Sequence, residues 1–322
     1  MIVRWGLDRL PDVLAEAGIE RPLLVASPRR WAGLELPAVH ATWSEVPSEK
    51  VDDASAAAAG ADGVLAVGGG SAIDLAKAIS AQTALPLVSV PTTYSGAEWT
   101  GFFGVRDPSR RMRGGGAGAN LAGIVYEPRL TLELPRAESG GTALNALAHC
   151  AEALYVRGHN EEADEWALRG ASTIGEALPR VLAEGGDLAA RTELLRGAEA
   201  GGRALAGSGL ALGHAMAQAL GGRYGLPHGA MNALCLPPAL RFNEPAAPGA
   251  IARFGAALAA DDPAAHAEKL ARLAGFERLR DFGVPEEELP EVAEAAAQRA
   301  GAKANPRPAS AAEIEELYRS IW

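Results

Sequence analysis

Cysteine is nearly absent from this chain: Cys150 and Cys235 are its only two in 322 residues, far apart and outside any Cys-x-x-Cys spacing. That excludes a disulfide framework and a cysteine metal site, and each thiol sits in an apolar helical context that suits a small core residue. No run approaches the ~20 apolar residues of a membrane span. The opening MIVRWGLDRLPDVL also lacks the continuous apolar stretch of a secretion signal, so a cytoplasmic protein is expected. Basic clusters interleaved with aromatics are missing too, and the formal net charge is −10. Neither nucleic acid nor an anionic membrane is therefore the expected partner; a small molecule is. Lysine is sparse, and histidine makes up only 6 of the residues.

What is present is apolar. At 48% hydrophobic residues the chain can fill one large core or two smaller ones, and its length favours two domains. In the first part, short β-rich runs alternate with helical stretches: PLLVAS at 22–27, GVLAV at 63–67, PLVSV at 86–90, and IVYEP at 124–128 as a last strand. This alternation predicts an α/β domain with a parallel sheet and crossover helices over residues 1–133. From about Leu134 the sequence changes to long Ala/Leu/Glu/Arg stretches of helical period, which predicts an all-α domain over 134–322. The Gly- and Arg-rich segment 106–123 suits a flap, a hairpin tip or a linker, and further breaks fall at 259–264 and 305–308. The apolar helical half could equally supply a homodimer surface or a monomeric core.

GVLAVGGGSAIDLAKAIS is a strand, a glycine turn and a helix in succession. Gly68, Gly69 and Gly70 carry no Cβ, so backbone N–H groups can approach an anion at the positive end of the helix dipole. Ser71 with Asp74 three later resembles a helix-capping pair, which puts the helix start at the glycines. Any tight strand-to-helix turn can use a glycine triplet, but a second element adds weight: PTTYSGAEWT brings Thr92, Thr93 and Ser95 to the same C-terminal edge of the sheet. PLLVAS ends in Ser27, followed by Arg29 and Arg30, where dinucleotide-binding sheets often place an acid on the ribose. With arginines there instead, a 2′-phosphate is tolerated, and the cofactor is NAD or NADP.

Asn145 and His149 stand four apart in LNALAHCAEALY and so share one helical face. His214 opens HAMAQALGG and His228 follows Leu-Pro in GLPHGAMNA, with Gly221, Gly222 and Gly225 between to turn the chain. One histidine in an apolar helix is most simply a hydrogen-bonded core residue; three of them with glycine and proline hinges between read as a site. Three neutral imidazoles around an open position would suit a divalent ion, zinc above all, yet the neighbour at 145 is a neutral amide and adds no carboxylate attraction.

Together GGGSAIDLAKAIS, PTTYSGAEWT, NALAHCAEALY, GHAMAQALGGRYGLPHGAMNALCLPPALRFN and the late NPRP resemble the iron-type (group III) alcohol dehydrogenase superfamily, and within it the maleylacetate reductase branch. The resemblance implies a dehydroquinate synthase-like, two-domain fold, with a nicotinamide in the cleft between an α/β and a helical domain. In metal-dependent members an Asp and three His hold iron or zinc. Those positions are Asn145, His149, His214 and His228 here, so the acidic ligand is replaced, as in maleylacetate reductases, which work without metal. Two departures stand out. A histidine usual one turn after His214 is Gln218, and Gly-Ala-Met-Asn after His228 is closer to alcohol dehydrogenases.

The expected activity is hydride transfer from NAD(P)H to a small carbonyl substrate. Asn145, His149, His214 and His228 would stabilise the oxygen, and the three histidines would hold a metal only if a divalent ion, zinc or iron, is bound; the metal-free form is expected. A maleylacetate-type substrate carries two carboxylates, and Arg106, Arg223 and Arg241 are the candidate cations. If none of them faces the pocket, a simple aldehyde or polyol ketone is the better substrate class. The alternatives are a metal-dependent alcohol dehydrogenase, a dehydroquinate synthase-like lyase or cyclase, and a nucleotide-binding protein without turnover.

Overall fold

The β-rich runs form strands β1 (Ile2–Trp5), β2 (Leu23–Val25), β3 (Ala41–Trp43), β4 (Val64–Gly68), β5 (Pro86–Pro91), β6 (Phe103–Asp107), β7 (Met112–Gly116) and β8 (Asn120–Tyr126). The computed structural model describes residues 1–27, 36–47, 49–107 and 112–322. The chain divides into two units: Met1–Thr93 with Ala97–Glu133, and Tyr94–Gly96 with Leu134–Trp322.

In the first unit six strands lie in the order β1-β8-β5-β4-β2-β3, every neighbouring pair parallel. Helices α1 (Leu10–Glu16), α2 (Val51–Ala56) and α3 (Gly70–Thr83) lie in the connections. Strand β4 is buried along its whole length, which explains why it reads as a continuous apolar run rather than an alternating one. Two strands of this sheet escape sequence reading, β1 and β3, and both are sheet edges. They are three or four residues long and half-exposed, so neither carries an apolar run. The expected last strand, 124–128, runs instead over Asn120–Tyr126, with Glu127 and Pro128 passing into a 3-10 turn, and sits inside the sheet between β1 and β5. Of the three readings of 106–123, the hairpin describes its first part: β6 and β7 pair antiparallel from Phe103↔Gly116 to Asp107↔Met112.

In the second unit α4 (Arg136–Ala153) is buried along nearly its whole length. Around it lie α5 (Glu161–Ala183), α6 (Leu188–Ser208), α7 (Leu212–Tyr224) and α8 (His228–Asn243), followed by α9 (Pro248–Ala257), α10 (Pro263–Ala274), α11 (Leu289–Ala297), α12 (Ala300–Ala304) and α13 (Ala311–Ser320). Small residues let the helix backbones approach. A Cβ on Gly229 would lie 2.5 Å from the backbone C and O of Gly141, and one on Gly201 would lie 2.8 Å from the Ala146 carbonyl oxygen. The Cys150 sulfur fills the space beside Gly170 and Gly201, where added Cβ atoms would come within 2.6 and 3.3 Å of it. Cys150 and Cys235 are both fully buried, as expected of core residues. Among the described residues no helix is long and apolar enough to cross a membrane.

The atoms facing Gly229 are backbone and cannot swing aside. Gly229→Ala should therefore cost about 1–3 kcal/mol through overpacking and lower the thermal midpoint by several degrees. Gly186→Ala, where a Cβ meets nothing within 4 Å, should leave it nearly unchanged. Matched melting curves test the contrast, and equal midpoints would contradict it.

Candidate functional site

In the first unit the chain leaves β2 toward β3 on one side and leaves β4 toward β5 on the other, so the sheet's switch point lies between β2 and β4. Ligands of open α/β sheets bind there, at the strands' C-terminal ends. Ser27, half-buried, follows β2, and Gly68 ends β4. Helix α3 begins at Gly70 with Gly69 as its N-cap. Side chains are shut out of this turn: a Cβ on Gly68 would sit 2.7 Å from the Ala72 Cβ, and one on Gly69 2.7 Å from the Thr93 Cγ2. Thr92 donates its backbone N–H to the Gly68 carbonyl at 2.9 Å. The Thr92 and Thr93 hydroxyls are buried and have no partner, so this edge offers hydrogen-bonding capacity the protein itself does not use.

The capping pair expected of Ser71 and Asp74 is not formed. Gly69 caps the helix without a side-chain hydrogen bond, and Ser71 is exposed. Asp74 instead accepts from Lys77 Nζ at 2.9 Å and from the Gly104 N–H at 3.2 Å. Lys77, not anticipated, is buried and also donates to the carbonyls of Ala97 and Phe102, each at 2.7 Å. It ties α3 to the segment leading into the hairpin, and an i,i+3 Asp/Lys pair on an otherwise apolar helix was the available signal.

The second unit holds the histidines. Helix α4 carries Asn145, His149 and Glu152 along one stripe, spaced four and then three residues apart. Helix α7 carries His214 in its first turn, two residues past its start, and α8 begins at His228 and carries Asn232 one turn on. The rings converge. His149 and His214 stack with centroids 4.7 Å apart, and those of His214 and His228 are 5.9 Å apart. Asn145, His149, His214 and Asn232 are buried.

A chain of amides fixes the polarity of this cluster. The Ser95 carbonyl can only accept, so the Asn145 group 2.9 Å from it is the NH2. The other hydrogen of that NH2 faces His149 Nε2 at 3.4 Å. Asn145 Oδ1 in turn accepts from Asn232 Nδ2 at 2.7 Å, and that same nitrogen lies 3.0 Å from His228 Nε2. Ser95, expected at the cofactor edge, reaches the histidine cluster through its backbone carbonyl. Its neighbour Gly96 has φ +71°, and a Cβ there would lie 3.2 Å from the Gly202 Cα and 3.5 Å from His149 Nδ1.

His214 stands apart from the amides. Its Nδ1 lies 2.9 Å from a Glu152 carboxylate oxygen, and its Nε2 is buried without a partner. Glu152 is fully buried and also accepts the backbone N–H groups of Ala211 at 2.6 Å and His214 at 2.9 Å. One carboxylate therefore both caps α7 and orients the ring, where the helix dipole favours negative charge. Glu152 was missed in the sequence, although a lone acid three residues after His149 in an Ala/Leu-rich stretch is a detectable anomaly.

Burial, and then the neighbouring His214 and His228, push the His149 pKa well below its ordinary value. The unfolded chain takes up a proton near pH ~6.5 that folded His149 refuses. Stability from this group is complete above that pH and is lost as pH falls below it. Wild type should thus lose melting temperature between pH 7 and 5, with a shallower slope in His149→Gln; parallel slopes would contradict the assignment.

The expected substrate cations are corrected. Arg223 pairs with Glu288 and Glu291 at 2.7 and 2.8 Å, and Arg241 with Glu268 at 2.9 Å, so both are neutralised by carboxylates. The side chain of Arg106, and Arg29 and Arg30 beside Ser27, lie outside the described residues.

With the protons so distributed, the lone pairs of His149 Nε2 and His228 Nε2 face amide hydrogens, the buried and unpartnered His149 Nδ1 carries its ring's hydrogen, and His214 Nε2 is left as an acceptor of the cluster that no amide engages. Among the described residues no group of three or more His, Cys, Asp or Glu side chains could hold a metal ion.

Two family profiles match the chain: "Iron-containing alcohol dehydrogenase" over residues 4–120 and "Fe-containing alcohol dehydrogenase family, C-terminal" over residues 140–322. Maleylacetate reductase from Pseudomonas knackmussii is 37% identical over 306 residues, covering 91% of this chain and 87% of that protein. The crystal structure of maleylacetate reductase from Rhizobium sp. strain MTP-10005 superposes with a TM-score of 0.89 at 30% identity, covering 100% of this chain and 95% of that one. An iron-containing alcohol dehydrogenase from Corynebacterium glutamicum gives a TM-score of 0.90 at 29% identity, covering 100% and 94%.

Proposed function

The chain belongs to the iron-containing alcohol dehydrogenase family and is an oxidoreductase of its maleylacetate reductase-like branch, and on that premise we propose that it reduces a maleylacetate-type oxo acid with NAD(P)H and without a metal. The observation that carries the metal-free part is the amide chain from the Ser95 carbonyl through Asn145 and Asn232 to His228. It occupies with N–H donors the lone pairs a cation would need.

A bound nicotinamide would supply the hydride. Gly68, Gly69 and Gly70 would hold its pyrophosphate at the start of α3, with Ser71 and the hydroxyls of Thr92 and Thr93 as further donors. Asp74, one turn beyond the glycines, is bonded to Lys77 and the Gly104 N–H and supports that turn. A carbonyl conjugated to a double bond can take hydride at the carbonyl carbon, giving an alkoxide, or at the alkene, giving an enolate. Either way negative charge develops on the same oxygen, and a donor placed against it would lower the barrier. His214 would first take up the solution proton that the reduction consumes, at its unpartnered Nε2, and pass it to that oxygen or to the carbon conjugated with it, while buried Glu152 offsets the charge on the ring before transfer. His149, held neutral, and His228 flank the His214 ring.

Three outcomes are expected. After exhaustive chelation, with elemental analysis showing less than stoichiometric metal, NADH-dependent reduction of maleylacetate should persist in full; stoichiometric zinc or iron with chelator-sensitive turnover would overturn the metal-free reading. Glu152→Gln should lower kcat by roughly 10²–10⁴-fold, the usual range for general acid–base groups, with the KM for NADH nearly unchanged. Because Ser27 supplies no carboxylate to repel a 2′-phosphate, NADPH and NADH should show comparable kcat/KM, and a preference for NADH beyond a hundredfold would contradict this.

A further inference from the structure

The maleylacetate-type substrate proposed above needs cations, yet Arg223 and Arg241 are already paired with acids. The buried cations elsewhere are also committed. Lys77 has Asp74 and three further oxygens, and Arg191 spends its donors on Tyr94, Ser139, Gly185 and Leu134. Arg299 differs. It sits at the N-cap of α12, half-buried, and its Nη1 lies 3.4 Å from Gln218 Oε1. Its Nε is buried without a partner. Among the described residues no carboxylate pairs with it; nearby Tyr318 is a neutral phenol whose hydroxyl donates to the Met216 carbonyl. Burial pulls the guanidinium below its ordinary pKa, the direction expected of a desolvated cation lacking an anion.

Gln218 lies four residues after His214 on α7, so the two share one helical face about one turn, ~5.4 Å, apart. A guanidinium presents five N–H donors in a planar fork suited to a carboxylate, and Gln218 adds an amide N–H beside it. We propose that Arg299 and Gln218 form a carboxylate subsite one helical turn from His214, which takes the remote carboxylate of a dicarboxylic oxo acid whose reacting oxygen lies at His214 Nε2. The subsite rests on the reductase reading given above. It assigns Gln218 to anion binding rather than proton transfer.

The test compares maleylacetate with a neutral aldehyde, butanal, in wild type, Arg299→Gln and Arg299→Lys, with succinate as a non-reducible dicarboxylate competitor. Loss of a charge-assisted hydrogen bond predicts a KM for maleylacetate raised roughly 10- to 100-fold in Arg299→Gln. The fall in kcat/KM on butanal should be at least tenfold smaller than that on maleylacetate. Arg299→Lys should recover part of the loss, and succinate should compete in wild type but weaken by a similar factor in Arg299→Gln. Equal losses on both substrates, a KM insensitive to Arg299, or no competition by succinate in wild type would overturn the subsite while leaving the reductase reading intact. Wild type that reduces neither substrate with NADH or NADPH would overturn both.

Discussion

A carboxylate sealed from water governs the histidine cluster. Glu152 comes from the middle of α4, yet its oxygens meet the first turn of α7, where they accept two backbone N–H groups and the His214 ring. A buried carboxylate left unpaired is costly, and one satisfied by three donors is held firmly. The same contact that offsets its burial sets the height and rotation of α7 against α4. His214 thereby stacks on His149, and its Nε2 is turned away from Glu152. A second polar chain, from Ser95 to His228, does for α8 what Glu152 does for α7.

Such short polar links require helices that nearly touch. Gly141 against Gly229 brings α4 and α8 to backbone contact, and Gly213 leaves room for a Glu152 oxygen, which an added Cβ would approach to 2.9 Å. Larger residues at these crossings would separate the helices by more than an amide can span. Packing and chemistry are thus one constraint here: small residues determine how close the helices come, and buried polar side chains determine their register.

Much of this is legible in the residues alone because it rests on local signals. The glycine turn announces itself through three consecutive residues without Cβ, and Asn145 with His149 through a four-residue spacing in apolar sequence. Partnerships that span the chain are harder to read. Arg223 and Arg241 lie near the motifs, but the acids that neutralise them, Glu288, Glu291 and Glu268, come from helices far along the sequence. Asn232 looks like part of a loop-flanking Gly-Ala-Met-Asn string until α8 turns it toward Asn145. The edge strands β1 and β3 are too short to leave a period. Ser71 and Asp74 match a capping pattern, yet a backbone already turned by glycine needs no such cap.

The two thiols carry a separate implication. Cys150 is lodged among the backbones of three helices and Cys235 is equally enclosed, and burial raises the pKa of each. Neither can form a thiolate or meet an alkylating reagent while the helices stay together. Their modification therefore clocks the opening of the helical unit itself, a built-in stopwatch for its local or global unfolding that needs no engineered label.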